Sequence, residues 1–437
     1  MTRAAGSSII ECMITRHEYL SELEKHREKS KLIKVVTGVR RCGKSTLLQQ
    51  FRKKLAKEHI PANRIIDISL EGIENEELRD GKVLYQFVKR KLNSNNPHFV
   101  FIDEIQLASD YEEVANSLRL LKNTDVYVTG SNANILKGKF ATRWAGRYVE
   151  IKMLPLSFRE YTSAFPGLNP DIAFKNYIEQ SSFPEALAYH AQPRHDGSAK
   201  RNGTISRSGH WDEGGVRAYL EGIYHSILIK DVMLHQGIKD VSLLERIIKC
   251  LFSNIGSETS INGMVNMLNN DLKLRTTEKK VYALTVAEYL EGLVNSFIFY
   301  KAERKFIKGR EYLRTNAKYY AVDAGLRYFL LGSKGADSGH ILENIVYLEL
   351  IRRGNKVSVG KIVEKEVDFI AEGPDGIAYY QVAETVRGKE TLARELTSLN
   401  AITDHHPKML LTRDYEPKTS HNGIKQLNVL EWLLGQN

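Results

Sequence analysis

Gly38, Gly43, Lys44 and Ser45 fill every specified position of a G-x-x-x-x-G-K-[ST] template. That spacing suits the capture of phosphate. The glycines let the backbone of Gly38, Val39, Arg40, Arg41, Cys42, Gly43, Lys44, Ser45 and Thr46 curl around an anion with no Cβ in the way. A helical pattern begins at the end of the loop, so its orphan N–H groups and positive dipole end face the same anion. Lys44 would then bridge the β- and γ-phosphates, and the Ser45 hydroxyl would bind Mg²⁺. A second pair of groups, Asp103 and Glu104, ends the apolar run Phe99-Val100-Phe101-Ile102. The first acid is suited to hold Mg²⁺ through its water shell, and the second to polarise an attacking water. A nucleoside triphosphate is the implied ligand, with ATP and Mg²⁺ expected.

Two further groups extend this chemistry, each with a competing structural reading. Asp125 to Gly130 is strand-like and ends in Ser131-Asn132. An amide there both donates and accepts, which suits a γ-phosphate or water sensor; it also suits an Asx turn that merely ends a strand. Arg147, with Arg143 and Arg159 behind it, is the candidate to reach a γ-phosphate. The alternative is a surface arginine paired with Glu150 or Glu160.

The elements that must position these groups are readable from periodicity. A charged amphipathic helix is expected from about Ile14 to Lys31, beside the phosphate loop. Strands are expected at Lys34–Thr37, Arg64–Leu70, Phe99–Ile105, Asp125–Asn132 and Arg143–Ile151. Further on, Leu243–Phe252, a segment from Ser260, and Glu278–Leu293 read as three helices, and Phe297–Tyr300 as the opening of a β-wing. That order suggests a winged helix, with Lys279, Lys280 and Tyr282 near the start of its third helix and Glu288 and Glu291 later. Between His190 and Gly215 apolar residues nearly vanish, and a flexible basic insertion is expected.

At 437 residues, two or three domains are expected. Hydrophobic content of 42% and charged content of 27% describe a soluble globular chain with no transmembrane-length apolar run. The three cysteines, Cys12, Cys42 and Cys250, have neither metal-ligand spacing nor a disulfide framework. A reducing cytoplasm is the expected location, because Cys42 would be open to oxidation in the loop. The net charge of +10 is a mild bias toward polyanions.

The motifs Gly38 to Leu48, Ile102-Asp103-Glu104-Ile105-Gln106, Thr129 to Asn132, and Gly146 to Ile151 followed by Leu154 to Tyr161 occur in this order. Together they resemble the large family of prokaryotic AAA-type ATPases that carry a C-terminal domain of unknown function. The resemblance implies an α/β fold, with an additional-strand P-loop ATPase domain over 1–165 and a helical lid or linker over 166–235. A winged-helix domain over 236–332 would come next. Lys318 to Arg327 resembles the family's junction with the last domain, 333–437. That domain's order of helix, three strands, helix and strand resembles restriction-endonuclease-like cores. Such enzymes use a helix Glu, a strand Asp and an (E/Q)-x-K. Glu343, Asp368 and Gln381 match, but Ala383 stands at the lysine position. Lys361, Lys365 and Arg387 are the neighbouring substitutes, and a degenerate domain is expected. The expected activity is Mg-dependent ATP hydrolysis coupled to double-stranded DNA. The alternatives are a nucleotide-gated switch for a protein partner and, more weakly, an ATP-gated nuclease. A homo-oligomer supplying an arginine in trans is compatible with each; no membrane partner is expected.

Overall fold

Ile33–Thr37 (β1) is buried at every position, as a β-branched run must be when it has a strand on each side and helices on both faces. The computed structural model describes residues 14–29, 31–92, 96–136, 144–189, 213–226, 232–233, 238, 240–272, 280–307, 312–332, 338–362, 365–415 and 419–436. Arg143, Lys279 and nearly all of the expected 190–215 insertion lie outside them. The chain divides into two compact units. One runs to Pro155 and includes Asn295–Phe297; the other comprises Leu156–Val294 and Ile298–Asn437.

In the first unit β1 joins Ile65–Ser69 (β2), His98–Asp103 (β3), Thr124–Gly130 (β4) and Tyr148–Lys152 (β5). The sheet is parallel throughout, in the order β2-β3-β4-β1-β5. β4 thus lies between the strand that leads into the phosphate loop and the strand that ends in the carboxylates, the additional-strand arrangement. Helices His17–Lys25 (α1), Lys44–Lys57 (α2), Gly81–Lys91 (α3) and Tyr111–Leu120 (α4) cover it. Asp80 starts α3 by accepting from the N–H groups of Lys82 and Val83. One core contains Val35, Leu84, Val88, Ile102, Leu118, Val128 and Trp144. A polar group is buried within the sheet: Lys34 pairs with Asp125, which also accepts from Tyr127 Oη at 2.6 Å and from Glu28 N at 2.8 Å.

The second unit begins at Leu156, and local packing explains why. Ser157 and Glu160 form a reciprocal capping box that starts Phe158–Ser163 (α5). Phe158 and Tyr161 then pack against Phe174 and Tyr177 of Pro170–Gln180 (α6), with ring centroids 5.3–5.6 Å apart. Leu156 to Tyr161 therefore belongs with α6 rather than with β5. After Glu213–Ile223 (α7) come Val241–Ser253 (α8), Glu258–Thr259 (β6), Ile261–Leu272 (α9), Ala283–Asn295 (α10), Phe299–Phe306 (β7) and Tyr312–Ala321 (β8). β8 pairs antiparallel with both β6 and β7, which is the winged-helix order.

Ala324–Leu331 (α11) is capped by Asp323, whose other oxygen accepts from the N–H and hydroxyl of Ser182, both at 2.6 Å. A Cβ on Gly325 would come within 2.5 Å of the Ser181 backbone, so glycine is required there. The remaining elements are Ser338–Arg352 (α12), Lys356–Ile362 (β9), Lys365–Gly373 (β10), Gly376–Ala383 (β11), Lys389–Asn400 (α13), Lys408–Thr412 (β12), Thr419–His421 (β13), Ile424–Asn428 (β14) and Val429–Leu434 (α14). The expected boundary between 332 and 333 does not separate two sheets. The wing and the last domain share one nine-stranded sheet, β13-β14-β12-β11-β10-β9-β7-β8-β6. The join is a parallel pairing of β7 with β9, Arg304 opposite Val359 through Phe306 opposite Lys361.

Candidate functional site

The phosphate loop runs from the end of β1 into α2, and its backbone permits little else. Gly38 has φ +156°, and a Cβ there would meet Met153 O at 2.1 Å. Gly43, at φ +102°, precedes the first turn of α2 in the left-handed region. Lys44 is buried. Its Nζ donates to the loop's own carbonyls, Gly38 O at 3.1 Å and Val39 O at 3.2 Å, and lies 3.5 Å from Glu104 Oε1. Burial opposes the ammonium's charge, but Glu104 and Asp103 outweigh it and raise the Lys44 pKa.

Asp103, at the end of β3, accepts from Ser45 Oγ at 2.7 Å. Its other oxygen accepts from Thr129 Oγ1 at 2.5 Å. Thr129, on β4, also takes the N–H of Glu104 at 2.8 Å, which ties the two acids to the neighbouring strand. Glu104 sits at φ 54°, ψ 54°, an uncommon conformation for a residue with a Cβ, and the clamp from Thr129 holds it there. Its carboxylate accepts from Ser131 Oγ at 2.8 Å and from Gln106 Nε2. Burial acts to raise the Glu104 pKa, but Lys44, Gln106 and Ser131 prevail and hold it below the usual range. The result is an ionised carboxylate with its neighbours already arranged.

Asn132 is buried at 4% exposure. Its Oδ1 accepts from Asn134 N at 2.8 Å, so the Asx turn is present. Its Nδ2 has no hydrogen-bond partner among the described residues, leaving a donor for an acceptor from outside the chain. This orphan donor, the start of α2 after Gly43 and the Ser45–Asp103 pair fit a phosphate with a magnesium ion. Arg40 pairs with Glu71. Cys42 is fully buried, and burial pushes its thiol pKa up. The expected exposure to oxidation is therefore absent, since a protonated, covered thiol is unreactive.

Arg147 requires a correction. Its carbonyl accepts from Ile33 N, and the next residue, Tyr148, is in register with Ile33. It therefore stands at the opening end of β1, the opposite end of a parallel sheet from the phosphate loop. It is not part of its own chain's cluster. Three residues to which the sequence reading gave no role hold the cluster instead: Thr129 and Gln106, both inside the motifs named above, and Arg16. Arg16 is buried and donates to Cys42 O at 3.1 Å and Leu154 O at 2.8 Å, bracing the loop from behind.

A second cluster of charge lies in the other unit. Glu343 on α12, Asp368 on β10 and Gln381 on β11 do converge. Asp368 N donates to Gln381 Oε1 at 3.3 Å, and Asp368 Oδ2 accepts from Val382 N at 2.8 Å. A lysine from another strand, which is not one of the three expected substitutes, lies among these acids. Lys318 on β8 places Nζ 3.0 Å from Glu343 Oε1 and 2.9 Å from Glu366 Oε1. Burial disfavours its charge, but Glu343, Asp368 and Glu366 raise its pKa. Glu343 Oε1 also accepts from Tyr320 Oη at 2.6 Å. Of the expected substitutes, Arg387 instead lies 3.4 Å from Asp414. Among the described residues, no group of three His, Cys, Asp or Glu side chains could hold a metal ion, and no helix is long and apolar enough to cross a membrane.

The family model that matches the first unit agrees with its fold. Residues 30–162 match the family model described as an AAA domain, and residues 209–337 match a domain of unknown function (DUF8612). An uncharacterized protein of Haemophilus influenzae is 38% identical over 423 residues, covering 97% of this chain and 99% of that protein. One from Methanocaldococcus jannaschii is 27% identical over 375 residues, covering 83% and 78%. Among solved structures, the Orc1 protein of Aeropyrum pernix in complex with DNA aligns at 12% identity. That alignment covers 78% of this chain and 94% of that one, with a TM-score of 0.33.

Proposed function

The chain belongs to the prokaryotic AAA-type ATPases that carry a C-terminal domain of unknown function, and on that premise we propose that it is a magnesium-dependent ATPase. ATP binds across Gly38–Thr46, with Lys44 on its terminal phosphates. Ser45 and Asp103 hold Mg²⁺, which supplies positive charge to the transferring phosphate. Glu104 takes the proton of the attacking water, and Asn132 Nδ2 orients the γ-phosphate or that water. The observation that carries this reading is Lys44 Nζ held 3.5 Å from Glu104 by carbonyls that phosphate oxygens can replace, beside the Ser45–Asp103 bond of 2.7 Å. Placed at the opening end of β1, Arg147 would reach nucleotide only on a neighbouring copy, which makes assembly part of the proposal.

ATP hydrolysis is coupled to association with duplex DNA, a reading supported by the net charge of +10 and by the winged-helix order. A specific observation favours a second reading, capture of a protein partner. The outward face of α10 and the residue before it present exposed Tyr282 and Leu284 together with Glu288 and Glu291, a surface ill-suited to phosphate. The deciding experiment measures ATP turnover with and without duplex DNA across a salt series. Stimulation that fades steeply with salt supports DNA; turnover indifferent to DNA supports the protein partner. Absence of any Mg-dependent turnover, alone or with DNA, rejects the ATPase.

A further inference from the structure

Two of the three side chains that match a nuclease site, Glu343 and Gln381, are already engaged by other groups of the chain. Glu343 Oε1 carries two donors, the Lys318 ammonium at 3.0 Å and Tyr320 Oη at 2.6 Å. Glu343 Oε2 faces His340 Nδ1 at 3.7 Å. Gln381 is turned the wrong way for coordination. Its carbonyl oxygen takes the backbone N–H of Asp368, and its amide donates to Glu395 Oε2 at 2.9 Å. Asp368 Oδ2 is engaged by Val382 N. A magnesium ion demands near-octahedral oxygen ligands at about 2.0–2.1 Å. To reach Glu343 it would have to displace an ammonium and leave that charge buried beside a dication.

We propose that Lys318 is the resident cation of this cluster. Its ammonium supplies the positive charge that Glu343, Glu366 and Asp368 would otherwise draw from a divalent metal, so the site takes no metal and cleaves no phosphodiester. The lysine missing at Ala383 has been replaced in charge by one from the wing strand, which fastens β8 to α12 and β10. This also accounts for the Lys318-Tyr319-Tyr320 motif: the first and third side chains of an extended strand point to one face, and both reach Glu343. Removing the ammonium while keeping its bulk should leave a vacant acidic pocket that accepts an oxygen-loving divalent ion.

The test uses the full chain without nucleotide, so its outcome is independent of the ATPase reading. Mn²⁺ uptake is counted by electron paramagnetic resonance for the wild type, Asp368→Asn, Lys318→Met and the double variant. Wild type and Asp368→Asn should take up equal amounts, any Mn²⁺ at Ser45 and Asp103 being common to both. Lys318→Met should gain one ion per chain, and the double variant should lose it again. One ion fewer in Asp368→Asn than in the wild type overturns the proposal, and that comparison holds even if Lys318→Met does not fold. A folded Lys318→Met that gains no Mn²⁺ overturns it as well. So does nicking of plasmid by the wild type in Mg²⁺ or Mn²⁺ that Asp368→Asn abolishes.

Discussion

The two units each bury a lysine among acids, yet the two lysines are held in opposite ways. Lys44 rests on two backbone carbonyls and stands at 3.5 Å from its nearest carboxylate. Lys318 is clamped between two carboxylates at 3.0 and 2.9 Å. Carbonyl contacts are neutral and easily exchanged for phosphate oxygens, so Lys44 keeps its charge available. A charge-assisted pair inside protein is stronger and shuts out other ions. Around Lys44 an amide donor on Asn132 is still open, whereas around Lys318 the engaged oxygens leave no complete ligand set. A cluster prepared for a ligand and a cluster that holds its own cation can therefore share a composition and differ in what their hydrogen bonds leave over.

The largest effect that would break this contrast concerns turnover. Lys44→Ala should lower ATP hydrolysis by about 10³-fold or more, since a charge on the transferring phosphate is lost; steady-state phosphate release measures it, and near-normal turnover removes Lys44 from the site. Glu104→Gln should slow hydrolysis by about 10²–10⁴-fold while ATP binding, monitored by equilibrium titration, persists. Lys318→Met should instead cost stability, about 3 kcal/mol by urea unfolding, because it leaves Glu343 with its ion partner removed. An unchanged midpoint would mean that the clamp contributes nothing. The smallest effects serve as calibration: Asp80→Ala and Asp240→Ala remove helix N-caps, one in each unit, and each should cost about 1 kcal/mol in the same measurement.

Legibility in the sequence tracks the range of the interactions. The phosphate loop and the carboxylate strand are local patterns, and Ser45 meets Asp103 because a parallel sheet brings the ends of β1 and β3 to one edge. The place of β4 between β1 and β3 could be expected from the polar tip at Ser131-Asn132, although the strand closes at Gly130 and the residue that holds the acids is Thr129. Thr129 opens the motif Thr129 to Asn132, but nothing local gives it a role, because its bonds to Asp103 and Glu104 depend on strand pairing. Arg16 is the same case: a lone arginine ahead of a helix, given its role by loop carbonyls far along the chain. Arg147 misled because an arginine before a strand looks the same at either end of a sheet, and only register with Ile33 places it. Lys318 escaped because substitutes were sought beyond residue 333, at Lys361, Lys365 and Arg387, whereas this lysine comes from β8, before that expected boundary.

The shared sheet carries a practical consequence for anyone dissecting the molecule. A chain stopped at residue 332 would retain β7 but lose β9, stripping the ladder from Arg304 to Phe306 and the Lys305–Glu372 pair at 2.5 Å. The truncated piece would present a raw strand edge that the intact protein never shows, and such edges recruit other copies. Fragments cut there should precipitate for reasons unrelated to their function, so an insoluble winged-helix fragment would be no evidence that the region lacks a role of its own.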